Sequence, residues 1–210
     1  MADRGNENQN VVLIGGAPGA GKTTLSLALA KRLGISSMSF DDLHAGIRGL
    51  TSPESHPDLH RTGRGHYIEY FTHTEGPELM SDAISENTAM WPGMERMIRR
   101  RANVGPDAVI DSWMLRPSLV ATLDIESVRA VWIHIDPGAL VERERANTGF
   151  LVGSENPDRM FTNFVGRSLE WNDLVSAEAH AAGLPLVVQD GTVAVETLVD
   201  NVLTLIESGS

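Results

Sequence analysis

The stretch richest in chemistry is IGGAPGAGKTT, residues 14–24, directly after the apolar run VVL. Gly16, then four residues, then Gly21, Lys22 and Thr23 fit G-x-x-x-x-G-K-[ST], the phosphate-loop pattern. Glycines at 15, 16, 19 and 21 let successive backbone N–H groups face inward. That nest, with the N-terminus of the following helix, cradles an anion. The expected nucleotide-binding residues are Gly16, Ala17, Gly19, Ala20, Gly21, Lys22, Thr23 and Thr24. Lys22 is placed to reach β- and γ-phosphate oxygens, and Thr23 to give its hydroxyl to Mg²⁺. The competing reading, a glycine-rich turn that happens to hold a lysine, does not account for the strand before it and the helix after it.

A phosphate loop by itself says that a nucleoside triphosphate is bound. Kinases, ATP-driven machines and GTP switches all use one. A GTP switch is expected to carry an Asn-Lys-x-Asp guanine reader, and the sequence has none. At 210 residues there is little room for the second module of a large ATP-driven machine.

Phosphoryl transfer further needs a group that orients the attacking hydroxyl and takes its proton. Asp41 and Asp42, in SFDDLH, stand just past the second apolar strand. Asp41 is the expected base. The pair also permits a plainer role, in which one aspartate caps a helix beginning at Leu43. Asp111 closes the strand DAVID, where an acidic residue serves the metal directly or through water. Thr23 and Asp111 are thus the candidate metal residues, and Asp111 and Trp113 also border the acceptor side. Asp136, in HIDPG, reads as a turn residue before proline.

Arginines come from two regions. LVERERANTGF carries Arg143 and Arg145, two apart on a helix and so on different faces. One faces the phosphates while the other pairs with Glu142 or Glu144. Arg159 and Arg167 follow the break NTGFLVGSENPD, and a mobile segment bearing arginines closes over a transferring phosphoryl group. Ordinary exposed helix charges are the alternative. Arg61 and Arg64 suit an anionic acceptor. His56, His60, His66 and His73 do not read as a metal cage, because Pro57 weakens a helix there and no cysteine or His-Glu-x-x-His pattern accompanies them. Of the four tryptophans, Trp113 alone sits at the rim; the others read as core.

These residues need a frame. Apolar runs at 11–15, 35–40, 107–111, 128–136 and 184–190 predict strands. Helices are predicted at 22–33, 77–101, 138–147, 157–182 and 193–207. Alternation of this kind makes a parallel sheet with helices on both faces, and its ligands bind beyond the carboxyl ends of the strands. Gly16, Asp41, Asp111 and Asp136 all fall there. The segment 43–76 holds five of the seven histidines and predicts a long stretch without regular structure, folded over that rim.

Composition fits one domain, 11–210, behind a polar tail, 1–10, expected to be disordered. The tail lacks the apolar region of a secretory signal. No apolar run approaches the ~20 residues that span a bilayer. The absence of cysteine rules out disulfides and thiolate metal sites and suits the cytoplasm. Seventeen Lys plus Arg against 28 Asp plus Glu, net charge -11, is the reverse of a nucleic-acid binder, and RMIRRR at 96–101 reads as a solvated helix end. The expected partners are a nucleoside triphosphate and a small-molecule acceptor, with no membrane and no nucleic acid; an oligomer is left open.

The combination of GGAPGAGKTT, SFDDL, VIDSW and the arginine-bearing segment resembles the small P-loop kinases. That group includes the nucleoside-monophosphate-kinase-like enzymes, chloramphenicol phosphotransferase and the 2-phosphoglycerate-kinase-like enzymes. The resemblance covers about 11–205, and SLEWNDLVSAEAHAAGLP, 168–185, adds to it. It implies an α/β P-loop NTPase three-layer sandwich, with a five-stranded parallel sheet in order 2-3-1-4-5. It also implies an acceptor-binding insertion at about 43–76, a mobile lid at about 143–165, Asp41 or Asp42 at the acceptor, and Arg143 and Arg145 in the lid. Arginines for an acceptor phosphate do not fall into a clear register within 43–76, which favours a hydroxyl on a molecule other than a nucleotide. The expected activity is ATP- and Mg²⁺-dependent phosphorylation of a sugar, nucleoside, antibiotic or similar metabolite, with Lys22, Asp41, Arg143 and Arg145 as catalytic residues. The alternative is a regulatory ATP-binding protein or ATPase coupled to a protein partner.

Overall fold

The computed structural model describes residues 10–63 and 66–208. The expected tail, apart from Asn10, and Arg64 lie outside the described residues. The elements run β1 (Val11–Gly16), α1 (Lys22–Leu33), β2 (Ser36–Ser39), α2 (Phe40–Leu50), α3 (Tyr67–His73), α4 (Gly76–Val104), β3 (Ala108–Asp111), α5 (Pro117–Val120), β4 (Val128–Ile135), α6 (Pro137–Ala146), α7 (Pro157–Ala181), β5 (Leu186–Gln189) and α8 (Val195–Ser208).

Among the described residues the strands form one parallel sheet in the order β2-β3-β1-β4-β5. Every residue of β1 and β3 is buried, which is why both read as unbroken apolar runs rather than alternating ones. Helices α1 and α8 pack together on one face of the sheet, and α4 and α7 on the other. Pairing of Ile14 with Asp111, Ser39 with Asp111 and Gly16 with Ile133 brings four strand ends to one rim. The order and layers are those that the resemblance implies. None of the described helices is long and apolar enough to cross a membrane.

The segment 43–76 corrects an expectation. It is largely ordered into α2, a 3₁₀ turn at Pro57–His60 and α3. Gly46 and Gly49 each lower helix propensity within α2 and mask its signal, while Leu43 and Ile47 pack on the core and hold it in place. The cap is also not where the sequence puts it. The helix starts at Phe40, which is fully buried, and Ser39 caps it by accepting from the Asp41 N–H at 3.2 Å. Both aspartates lie in the first turn, where the helix dipole favours carboxylates.

A second, smaller apolar cluster joins Tyr70 and Phe71 of α3 to Leu79 of α4 and Met160 of α7, with Phe150, Leu151 and Phe164 against it. It fixes α3 over the rim and ties it to the segment that follows α6.

Candidate active site

The loop between β1 and α1 has the cradle geometry its composition requires. Gly19 stands at φ 79°, a backbone region that side-chain-bearing residues avoid, and a Cβ there would lie 2.5 Å from Glu144 Oε1. Gly15 serves another purpose: the indole of buried Trp132 occupies the space a Cβ would need. Lys22, 7% exposed, donates from Nζ to the Ala17 carbonyl at 2.8 Å. Burial pushes its ammonium down to about 8, with Arg167 adding to the depression while Asp41, Asp111 and Glu144 oppose it. These four groups therefore converge electrostatically on one lysine.

Two neighbours on α6 press on the loop. Arg143 donates to the Gly19 carbonyl at 3.2 Å and the Ala20 carbonyl at 3.3 Å. Glu144 is buried against Gly19, and burial raises its carboxyl above the usual range against the pull of Lys22. Arg145 is exposed on the far face, as its spacing of two residues requires. Beside the loop a cavity of about 380 Å³ is lined by Ala20, Thr24, Arg143, Gln189 and Val193, among others. It gives room for the nucleoside part of a triphosphate.

Thr23 Oγ1 donates to Asp111 Oδ1 at 3.1 Å. Asp111 is buried, and desolvation raises its carboxyl, opposed by Thr23 and Lys22. A hydroxyl and a carboxylate side by side are hard oxygen donors of the kind Mg²⁺ takes. The next residue, Ser112, donates from Oγ to Asp41 Oδ1 at 2.8 Å and accepts from the Met114 N–H at 3.0 Å. Asp42 is exposed on the same turn.

A second cavity, about 350 Å³, opens between α2, α3 and α7, lined by His44, Arg48, Thr62, Tyr67, Trp113 and Arg167 among others. His44 and Arg48 follow Asp41 by three and seven residues and share its helix face. Fully buried Glu86 of α4 gathers them, with His44 Nε2 at 2.6 Å and Arg48 at 3.3 Å, and it accepts from the Thr62 N–H at 2.8 Å and the Thr62 hydroxyl. Arg167, 6% exposed, lies among three rings, its guanidinium carbon 5.1 Å from Phe71, 5.3 Å from Trp113 and 5.4 Å from Phe164. Its Nε has no hydrogen-bond partner, and among the described residues no carboxylate pairs with it. Taking such a charge out of water costs several kcal/mol, while ring contacts return about 0.5–2 kcal/mol each. Arg61 pairs with Asp58 at 2.8 Å and Asp82 at 3.6 Å.

A family described as AAA domain matches residues 11–164. The chain belongs to this AAA domain family. Among its relatives are a 2-phosphoglycerate kinase of Methanocaldococcus jannaschii, 24% identical over 93% of this chain and 62% of the relative, and a 2-phosphoglycerate kinase of Pyrococcus horikoshii, 30% identical over 84% and 58%. The chain thus spans less than two thirds of the length of these curated relatives. A solved sugar kinase from Janibacter sp. HTCC2649 has a TM-score of 0.56 at 20% identity, covering 95% of each chain. That likeness shows the fold alone.

Within this AAA domain chain the motif residues Lys22, Thr23, Asp111 and Asp41 meet as their strand positions require. Ser112, His44, Arg48, Thr62, Tyr67 and Glu86 were not singled out from sequence, and Glu144, expected as a surface partner of an arginine, is instead buried against Gly19. The spacing of Asp41, His44 and Arg48 is a helical signal, hidden because 43–76 reads as a loop. Glu86 carries no signal: it looks like any charge on a long helix.

Proposed function

We propose that the chain is an ATP- and Mg²⁺-dependent kinase that transfers the γ-phosphoryl group to a hydroxyl of a small molecule. The observation that carries this reading is the pair Lys22 and Asp41, electrostatically coupled across the rim, with a phosphate cradle on one side and a separate polar cavity on the other. Two relatives named 2-phosphoglycerate kinase support it.

In this reading residues 16–24 hold the triphosphate through backbone N–H groups and the Lys22 ammonium. Thr23 and Asp111 hold Mg²⁺, which supplies neutralising charge at the phosphates. Asp41, oriented by Ser112, accepts the acceptor's hydroxyl proton as that oxygen bonds to the γ-phosphorus and the bond to the β–γ bridging oxygen breaks. Arg143 steadies the loop, and Arg145 belongs to a lid at 143–165. Asp42, Arg61, Arg64, Asp111 and Trp113 border the acceptor, seated under the insertion 43–76. Residues 11–210 act as one cytoplasmic domain, without nucleic acid or membrane as a partner.

The test is ATP consumption over a panel of hydroxylated metabolites and antibiotics. At least one compound should drive ADP formation in the parent chain and none in Lys22→Ala. ATP turnover that ignores every acceptor, or that Lys22→Ala retains, contradicts the proposal.

A further inference from the structure

Resting on that reading of the second cavity as the acceptor site, we propose that it seats an oxyanion of the acceptor, a phosphomonoester or a carboxylate, on Arg167 with Arg48 beside it. The juxtaposition that carries this is a buried guanidinium that, among the described residues, has no ion pair and lines a cavity whose Arg48 already has one.

The surrounding charges were surveyed element by element. On α2, Arg48 donates to the Thr62 carbonyl at 2.7 Å and pairs with Glu86, and His44 pairs with the same carboxylate. On α4, Glu86 is thereby fully committed, and Asp82 accepts from the Tyr70 hydroxyl at 3.1 Å and pairs with Arg61. On α3, burial pushes the Tyr67 hydroxyl up to about 12, so it carries no charge at neutral pH. On α7, Arg167 faces three rings, its Nε has no hydrogen-bond partner, and among the described residues no carboxylate lies within ion-pair distance of it, the Glu86 charge reaching it only at longer range. The rings hold the guanidinium plane, so its fork of N–H donors is fixed before a ligand arrives. A planar, preset fork matches the two oxygens of a carboxylate or phosphate edge, and a neutral hydroxyl leaves most of those donors unmet. Asp41, on the face of α2 that also carries His44 and Arg48, then meets a hydroxyl on the same molecule.

The experiment is isothermal titration with the nucleotide site saturated by a non-hydrolysable ATP analogue and Mg²⁺, so that added anions do not report on the phosphate loop. Glycerol 3-phosphate, glycerate and glycerol present a phosphomonoester, a carboxylate and neither on one carbon skeleton. At least one of the two anions should bind ten times or more tightly than glycerol, and which does so separates the two oxyanions. Arg167→Lys, which keeps the charge and loses the fork, and Arg48→Gln, at a partly exposed position, should each weaken that anion about tenfold or more. Affinity for the ATP analogue serves as the control for folding in both variants. Equal binding of the three probes, or anion binding unchanged in both variants, overturns the assignment. The kinase reading fails separately: anion binding sensitive to Arg167, without phosphoryl transfer to any compound, leaves this site standing and removes the enzyme. Transfer to a neutral polyol with an unchanged KM in Arg167→Lys does the reverse.

Discussion

Ser112 Oγ donates to Asp41 Oδ1 at 2.8 Å, joining the residue after β3 to the first turn of α2. The bond occupies one carboxylate oxygen and leaves the other for a hydroxyl proton. Asp41→Asn should therefore leave nucleotide affinity within about twofold and lower transfer by 10²–10⁴, the usual yield of a positioned base. Ser112→Ala removes only the orientation and should cost about tenfold in kcat. Initial rates with a saturating acceptor check both, and transfer by Asp41→Asn at the parent rate contradicts the assignment.

Lys22 makes nucleotide binding dependent on pH. Its ammonium titrates at about 8 in the free chain, and only the charged form attracts phosphates. Affinity for an ATP analogue should be flat below about pH 8 and fall above it, with proton uptake on binding near pH 8.5. Titrations in two buffers of different ionisation enthalpy measure that uptake.

The same lysine has a stability consequence of opposite sense. Between about 8 and the ordinary value of 10.5 the unfolded chain holds more protons than the folded one, so stability from this residue rises with pH across that window. Below it, burying the ammonium costs about 1.4 kcal/mol per unit of depression. Lys22→Met should stabilise the free chain against urea at pH 7, by on the order of 3 kcal/mol, and lose that advantage by pH 10.5.

Glu144 sets a carboxylate against Gly19, in the path of incoming negative charge. Glu144→Gln should tighten binding of an ATP analogue three- to tenfold. Weaker binding would mean that the carboxylate braces the loop instead.

Glu86 is the buried hub under the second cavity. Glu86→Gln strips the counter-charge from Arg48, sets a neutral amide against His44 and should destabilise the chain by about 3–5 kcal/mol. A thermal melt measures the loss, and a raised acceptor KM should accompany it at temperatures where the variant is folded.

How far the sequence reveals this site depends on the reach of each interaction. The phosphate loop, β1, β3 and β4 are legible because a strand buried on both faces must be an apolar run, and a phosphate nest must be glycine-rich. The convergence of Asp41 and Asp111 is legible because parallel strands end at one rim. Helix α2 is not, since two glycines contradict its tertiary packing. Nor are the contacts of Glu86 with His44, Arg48 and Thr62, or of Arg167 with Phe71 and Trp113, which come together across 24 or more residues and leave no local pattern.

The most direct test of the central claim is ³¹P NMR of the chain with ATP, Mg²⁺ and hydroxylated acceptors that carry a phosphate or carboxylate. The account predicts loss of the γ-phosphate resonance together with growth of ADP and a new phosphomonoester signal, absent with Lys22→Ala and Asp41→Asn. ADP accompanied by inorganic phosphate alone, at a rate indifferent to every acceptor, would contradict it.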